Sequence, residues 1–221
     1  MIEANSPVAN PEKFQLLFPG TKNAKETINL GSCVLSSSEE VKLLGITIDS
    51  KLSFYPHVRN ICKKVSCKTK IILRIQSYLD QRQADMLFNA FVLSAFRYCP
   101  LIWMFCSKQA HNLINDTHFR ALRAKCNAFD TPYDELLKTS NCLAVHEYNL
   151  NLMLVEVYKN MHSIGPRINW NSFDLMPQTY NLRRGNKIRL PLAQNTICTN
   201  SFEIRAVLAW NYLPVIVKPR A

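Results

Sequence analysis

Arg59, Lys63, Lys64, Lys68, Lys70 and Arg74 crowd one short stretch, and no Asp or Glu occurs between Val58 and Leu79. On a helical wheel of about 100° per residue, Arg59, Lys63, Lys70 and Arg74 fall within about 60° of one another, with Lys64 and Lys68 flanking them. A solvated helix ordinarily mixes signs to gain i,i+4 pairs. This one forgoes them, so phosphate is the expected counter-charge, against the plainer reading of a solvated face. The whole chain leans the same way: 27 Lys and Arg against 16 Asp and Glu give a net charge of +11. Nucleic acid is the first acidic partner that such a charge suggests, and an anionic membrane surface the second.

Other reactive residue types do not assemble into a centre. The eight cysteines form no Cys-x-x-Cys pair, and no His stands at finger spacing from two of them, so zinc is not expected. Cys62, Cys99 and Cys106 lie among apolar residues, where a free thiol behaves as a small hydrophobe. With no signal peptide read at the N-terminus, reduced thiols in a cytosolic or nuclear protein are expected. Glu39-Glu40, an adjacent acidic pair, sits in a serine-rich loop where solvated charge is the expected role. His146-Glu147 lacks the second His of a zinc protease motif, and the five glycines are too scattered for a phosphate cradle. No cofactor, metal or catalytic residue is expected.

The elements that must carry the cations begin upstream. Leu43, Leu44, Ile46 and Ile48 predict a strand, with Gly45 marking a bulge or the close approach of another backbone. Asp49-Ser50-Lys51 is turn chemistry, Leu52 and Phe54 suggest a returning half-strand, and Pro56 opens a helix. Before this hairpin, residues 1–12 read as a leading loop or a helix stump. Lys13–Phe18 is a strand candidate closed by Pro19-Gly20, Thr27–Val34 is a weaker strand, and Ser36–Glu40 is a polar loop.

From Tyr55 onward the pattern is helical. Val58, Ile61, Cys62, Val65, Ile72 and Leu73 share one apolar arc. Asp80 with Gln83 predicts a capping box for a helix that turns Met86, Leu87, Ala90, Phe91, Ser94 and Ala95 inward. The apolar run Met86–Phe105 has the length of a membrane span, but Asn89, Arg97 and Pro100 interrupt it, so a core helix ending near Tyr98 or Cys99 is expected. A helix over about Gln109–Cys126 buries Leu113, Ile114, Ala121 and Leu122. Its Arg120, Arg123 and Lys125 suit either the helix dipole or a nucleic acid. Thr131-Pro132 starts a short helix to Lys138, and another runs from about Val145 to Met161 with Leu150, Met153, Leu154 and Val157 on one side. Residues 166–199 are irregular and basic, with Tyr180 near Arg183, Arg184, Lys187 and Arg189, as in single-strand binders or in a charged loop with a packed tyrosine. Asn200 caps a last helix through Trp210.

Several motifs in order resemble the C-terminal part of non-LTR retrotransposon reverse transcriptases of the LINE or jockey type. They are Asn10-Pro11-Glu12-Lys13-Phe14, Leu43-Leu44-Gly45-Ile46-Thr47-Ile48-Asp49, His57 with the basic helix, and Tyr98-Cys99-Pro100-Leu101-Ile102-Trp103. Tyr180-Asn181-Leu182-Arg183 and Trp210-Asn211-Tyr212-Leu213-Pro214 extend the likeness over about residues 8–218. The resemblance implies an α+β, mainly α chain: residues 1–55 a palm remnant with a primer-grip-like hairpin, 56–130 a helical thumb, and 131–221 a helical and irregular basic region. It places Lys13 at the motif D lysine held to protonate leaving pyrophosphate, although a lone Lys before a strand also reads as a surface charge. It makes Gly45 the point where the hairpin backbone approaches a sugar-phosphate chain. The basic face would then follow the minor groove of an RNA or RNA–DNA template–primer duplex.

The family's catalytic aromatic-x-Asp-Asp segment has no counterpart here, and two-metal phosphoryl transfer needs those carboxylates. The expectation is therefore a fragment that binds nucleic acid without sequence preference, lacks polymerase activity alone, and misses the fingers and palm portion of its parent polymerase as a partner. The competing expectation is a stand-alone basic helical adaptor for protein or anionic surfaces.

Overall fold

A computed structural model of the chain describes residues 10, 13–20, 26–31, 34–162, 164, 187–192, 199 and 201–214. The fold is α+β and mainly α, with two small antiparallel hairpins ahead of the helices. Strands β1 (Thr27–Asn29) and β2 (Val34–Ser36) pair as Thr27↔Ser36 and Asn29↔Val34. Strands β3 (Glu40–Leu43) and β4 (Ile46–Asp49) pair as Glu40↔Asp49 and Leu43↔Ile46. The expected single strand over Thr27–Val34 is thus split, and Ser36 and Glu40 belong to strands rather than to a polar loop. Lys13–Phe18 is not a strand: Leu16 makes one isolated parallel bridge to Ser37, and the Gln15 side chain accepts from the Lys42 N–H at 2.9 Å.

The hairpin also turns earlier than its sequence suggests. Leu44 and Gly45 both have positive φ, 47° and 86°, which is the conformation of a two-residue hairpin loop matched to the twist of the strands. Asp49-Ser50-Lys51 still turns, with the Leu52 N–H donating to the Asp49 carbonyl at 2.8 Å, but no half-strand returns. Leu52 and Phe54 are instead left-handed, at φ 51° and 55°. The Asp49 carboxylate explains this: it is buried and accepts from the Phe54 N–H at 2.7 Å, the Ser53 N–H at 3.1 Å and the Ser53 hydroxyl at 2.8 Å. These bonds wrap the chain around one carboxylate and aim it into helix α1 (Tyr55–Ile75), with Pro56 in its first turn.

Helix α1 buries Val58, Ile61, Cys62, Val65 and Ile72 and packs chiefly on α5 (Lys108–Cys126). Leu73, expected on the buried arc, is 44% exposed, and Ile75 after it is 37% exposed. Helix α2 (Gln81–Phe88) opens with the capping box of Asp80 and Gln83. It continues through a π-helical turn, Asn89–Leu93, into α3 (Ser94–Phe96). The wider turn shifts the helix phase, so the core residues are Phe88, Val92, Leu93 and Phe96. Met86, Ala90 and Ser94, expected inward, are exposed, and Leu87, Phe91 and Ala95 are half-buried. Cys99 follows in a left-handed conformation and is exposed, not packed among apolar residues as its neighbours suggested. Pro100 then starts α4 (Pro100–Trp103), whose Trp103 lies in the core and donates to the Tyr98 carbonyl at 3.1 Å.

Helix α6 (Tyr133–Thr139) begins one residue later than expected, with Pro132 rather than Thr131 at the N-cap. Helix α7 (Val145–Met161) buries Met153 and Val157, while Leu150 is exposed. Helix α8 (Phe202–Tyr212) buries Val207 and Trp210 against α7. Ile188 joins that cluster, clasped at 2.9 Å on both its N–H and carbonyl by the Asn211 side-chain amide. Residues 1–9, Tyr180, Arg183, Arg184 and Asn200 lie outside the described residues. Among the described residues no helix is long and apolar enough to cross a membrane.

Candidate nucleic-acid interface

Two groups dock the hairpin on the start of α1. Asp49 sets the direction of the helix, as above. His57, 4% exposed, accepts the Thr47 N–H on Nδ1 at 3.2 Å. Burial and then the nearby Lys64 push the His57 pKa below its ordinary 6.5, so the ring is the neutral acceptor that this bond requires. Its ring stands 6.3 Å from that of Trp103, linking the hairpin junction to the core.

On the third tie, the Tyr98 hydroxyl donates to the Leu44 carbonyl at 2.5 Å. A Cβ on Gly45 would meet the Tyr98 ring at 3.6 Å, an ordinary contact. The demand for glycine therefore comes from the φ of +86° rather than from lack of room. The expected close approach by another backbone is made instead by a tyrosine ring.

Between hairpin and helix runs a groove of about 600 Å³. Lys42, Gly45 and Thr47 form its hairpin wall; Lys63, Lys64, Cys67 and Lys68 form its helix wall; His57 and Asn60 lie at the junction. None of the described residues lining it is acidic. A second groove of about 540 Å³ adjoins it, sharing Asn60 and Lys63, and adds Arg59 of α1, Arg120 of α5 and Glu40 of β3. Among the described residues none of the α1 cations is ion-paired. Lys68 has a different partner, the ring of Phe91 at 5.4 Å from its ammonium.

Of the residues singled out from sequence, Gly45, Lys63, Lys64 and Lys68 come together in one groove, and Arg59 stands in its neighbour. Lys70 and Arg74 continue along the exposed second half of α1, beyond both grooves. The row from Arg59 to Arg74 is about 22 Å long at the helical rise. Lys13 is exposed and lines neither groove, which agrees with a surface charge and brings it to no shared site.

Lys42 and Thr47 had escaped notice, though they had a signal. Once Leu44-Gly45 is taken as a two-residue loop, strand pairing puts Lys42 opposite Thr47. Nothing local announced His57 as a docking residue. Arg120 and Lys125, which sequence left open, separate here. Arg120 is exposed and lines the second groove, whereas Lys125 is 3% exposed and ion-paired with Asp85 at 2.6 Å.

The thiols offer little chemistry. Cys62 and Cys106 are pushed up by burial, Cys106 to about 11, and Cys67 is an exposed free thiol on the basic groove. Cys33 and Cys198 lie outside the described residues. Among the described residues no three His, Cys, Asp or Glu side chains are grouped so as to hold a metal ion. Comparison with protein-family models, with curated proteins and with solved structures found no match.

Proposed function

We propose that this chain is a thumb-like fragment related to non-LTR retrotransposon reverse transcriptases, and that it binds the backbone of an RNA or RNA–DNA duplex. The observation that carries the reading is the groove between the β3–β4 turn and α1. Four lysines line it from two elements, and none of the described residues lining it is acidic. Lysine supplies a point charge for phosphate without the fixed fork that reads a base edge, so contact of this kind favours any sequence alike. The glycine turn contributes backbone with no side chain at the groove's edge. The order of parts supports the kinship: a short hairpin docked directly on the first, basic helix of a helical core. The groove is assigned binding and no catalysis.

Anisotropy of a labelled RNA–DNA hybrid against salt concentration tests this. Log affinity should fall linearly with log salt, and each lysine removed should reduce the slope by about 0.9. Lys63→Ala, Lys64→Ala and Lys68→Ala together should therefore weaken binding to all duplex sequences equally. Lys70→Ala with Arg74→Ala should matter less. Salt-independent binding, or a larger loss from the distal pair than from the groove triple, sinks the proposal.

A further inference from the structure

Asn149 is 3% exposed, and its Oδ1 atom is buried with no hydrogen-bond partner among the described residues. A buried acceptor in that state calls for an ion or a water to meet it. Asn149 lines a small cavity of about 30 Å³ between α4, α5 and α7. That is room for one small species, since a single water needs about 10–15 Å³.

Three more side chains with ligating atoms line the same cavity: His111 and Asn115 from α5, and His146 from α7. His111 and Asn115 stand at i,i+4, and His146 and Asn149 at i,i+3, so each helix turns one face with two donors to the cavity. The buried Trp103 and Ile114 wall it on other sides. The His111 ring feels both of its polar neighbours. Burial and then His146 lower its pKa from 6.5, while a hydrogen bond to the Met104 backbone raises it. That bond occupies one ring nitrogen and leaves the other for a ligand, the usual arrangement of a metal-bound imidazole. His146 is exposed, and both histidines also line an open groove of about 1280 Å³ between α4, α5, α7 and α8, which supplies an entry path.

The donor set narrows the occupant. An anion would be repelled by the orphan carbonyl oxygen of Asn149. Magnesium and calcium seek oxygen ligands, carboxylates above all, whereas imidazole suits zinc, nickel and copper. All four donors are uncharged when the imidazoles are neutral, and the two histidines lie in the first turns of α5 and α7, where the helix dipole opposes a cation. Such a site selects its ion by ligand type and not by charge. We propose that His111, His146 and Asn149, with Asn115 beside them, bind one divalent transition-metal ion of the zinc class and so tie α5 to α7. The two histidines lie on different helices, so local spacing carries no zinc signature for them.

The probe is Co²⁺, a coloured stand-in for zinc, titrated into the whole chain after treatment with a chelator. Visible absorption should saturate at one ion per chain without a thiolate-to-metal charge-transfer band. Zn²⁺ should displace the Co²⁺ and Mg²⁺ should not. His111→Ala and His146→Ala should each weaken binding at least tenfold. Asn149→Asp puts a charged oxygen in place of a neutral one of the same shape and should tighten binding at least tenfold, a gain that poor folding cannot imitate. The Lys63/Lys64/Lys68 alanine variant should bind Co²⁺ like the parent, which keeps this site separate from the nucleic-acid reading.

Four results would overturn the proposal. A charge-transfer band would move the ion to the cysteines. Binding retained in both histidine variants would make it an adventitious ion only. Failure of Asn149→Asp to tighten binding would remove the orphan oxygen from the site. No binding of Co²⁺ or Zn²⁺ at all would leave the cavity to a water.

Discussion

Lys125 and the lysines of α1 are the same residue type on neighbouring packed helices, yet they live in opposite worlds. Lys125 is buried near the end of α5, paired with Asp85 at 2.6 Å and lying 5.1 Å from the centre of the Phe88 ring. Arg123 beside it stacks 4.0 Å over the ring of Phe119. Lys63 and Lys64 are exposed on a groove that no described acidic residue lines, with Glu40 in the adjoining groove that Lys63 shares. Lys125 ties α5 to α2, Arg123 packs within α5, and the lysines of the groove have no ion pair among the described residues. A basic residue is thus read by its counter-charge, not by its type.

That contrast can be broken most sharply at Asp85. Asp85→Asn leaves the buried Lys125 ammonium without its charge partner; because the Asp85 carboxylate is 44% exposed and solvent screens the pair, the loss should be about 1–3 kcal/mol. Chemical denaturation should show that loss. By the same measurement Lys63→Ala with Lys64→Ala, both exposed, should change stability by less than about 0.5 kcal/mol. If the two variants cost alike, the division between structural and available cations fails.

Acid probes the same core from another side. His118 is fully buried, its Nδ1 2.8 Å from the Tyr133 hydroxyl, and burial, then Lys125 and Arg97, pull its pKa from 6.5 to about 4. Burial also pushes the Tyr133 hydroxyl up, so both groups stay neutral near pH 7. Because the folded ring resists protonation, its contribution is complete above pH 6.5. Below that the unfolded chain binds a proton that the folded one refuses, and stability falls until about pH 4. The expected loss is about 3 kcal/mol over that window. Denaturation at pH 7, 5.5 and 4.5 should reveal it, and His118→Gln should flatten the slope.

The smallest effect belongs to the groove's own scaffold. Gly45→Ala meets only ordinary contact with Tyr98, so the strain of φ +86° should set the loss at about 1 kcal/mol. A much larger loss would mean that the turn is held by packing and not by its backbone conformation alone. Duplex affinity should drop with it, since the turn forms the edge of the groove.

Much of the fold was legible residue by residue. The buried arc of α1 through Ile72, its start at Pro56, the Asp80–Gln83 capping box and the span of α7 all follow from short-range spacing and side-chain chemistry. The core face of α2 and α3 was not, because the π-helical turn at Asn89–Leu93 breaks the 3.6-residue period on which any wheel rests. The hairpin was placed one turn too late, because Leu44 accepts a left-handed φ that its own side chain disfavours.

The sequence by itself determined that a basic, acid-free amphipathic helix would form and which side of it would be buried, since helical period and charge are both written locally. Only the tertiary structure decided which cations remain available. Asp85 reaches Lys125 from another helix, and the hydroxyl of Tyr98, 54 residues from Leu44, is bonded to the turn that completes the groove. Counter-charges and clamps act across space between segments distant in the chain, and local spacing carries no record of them.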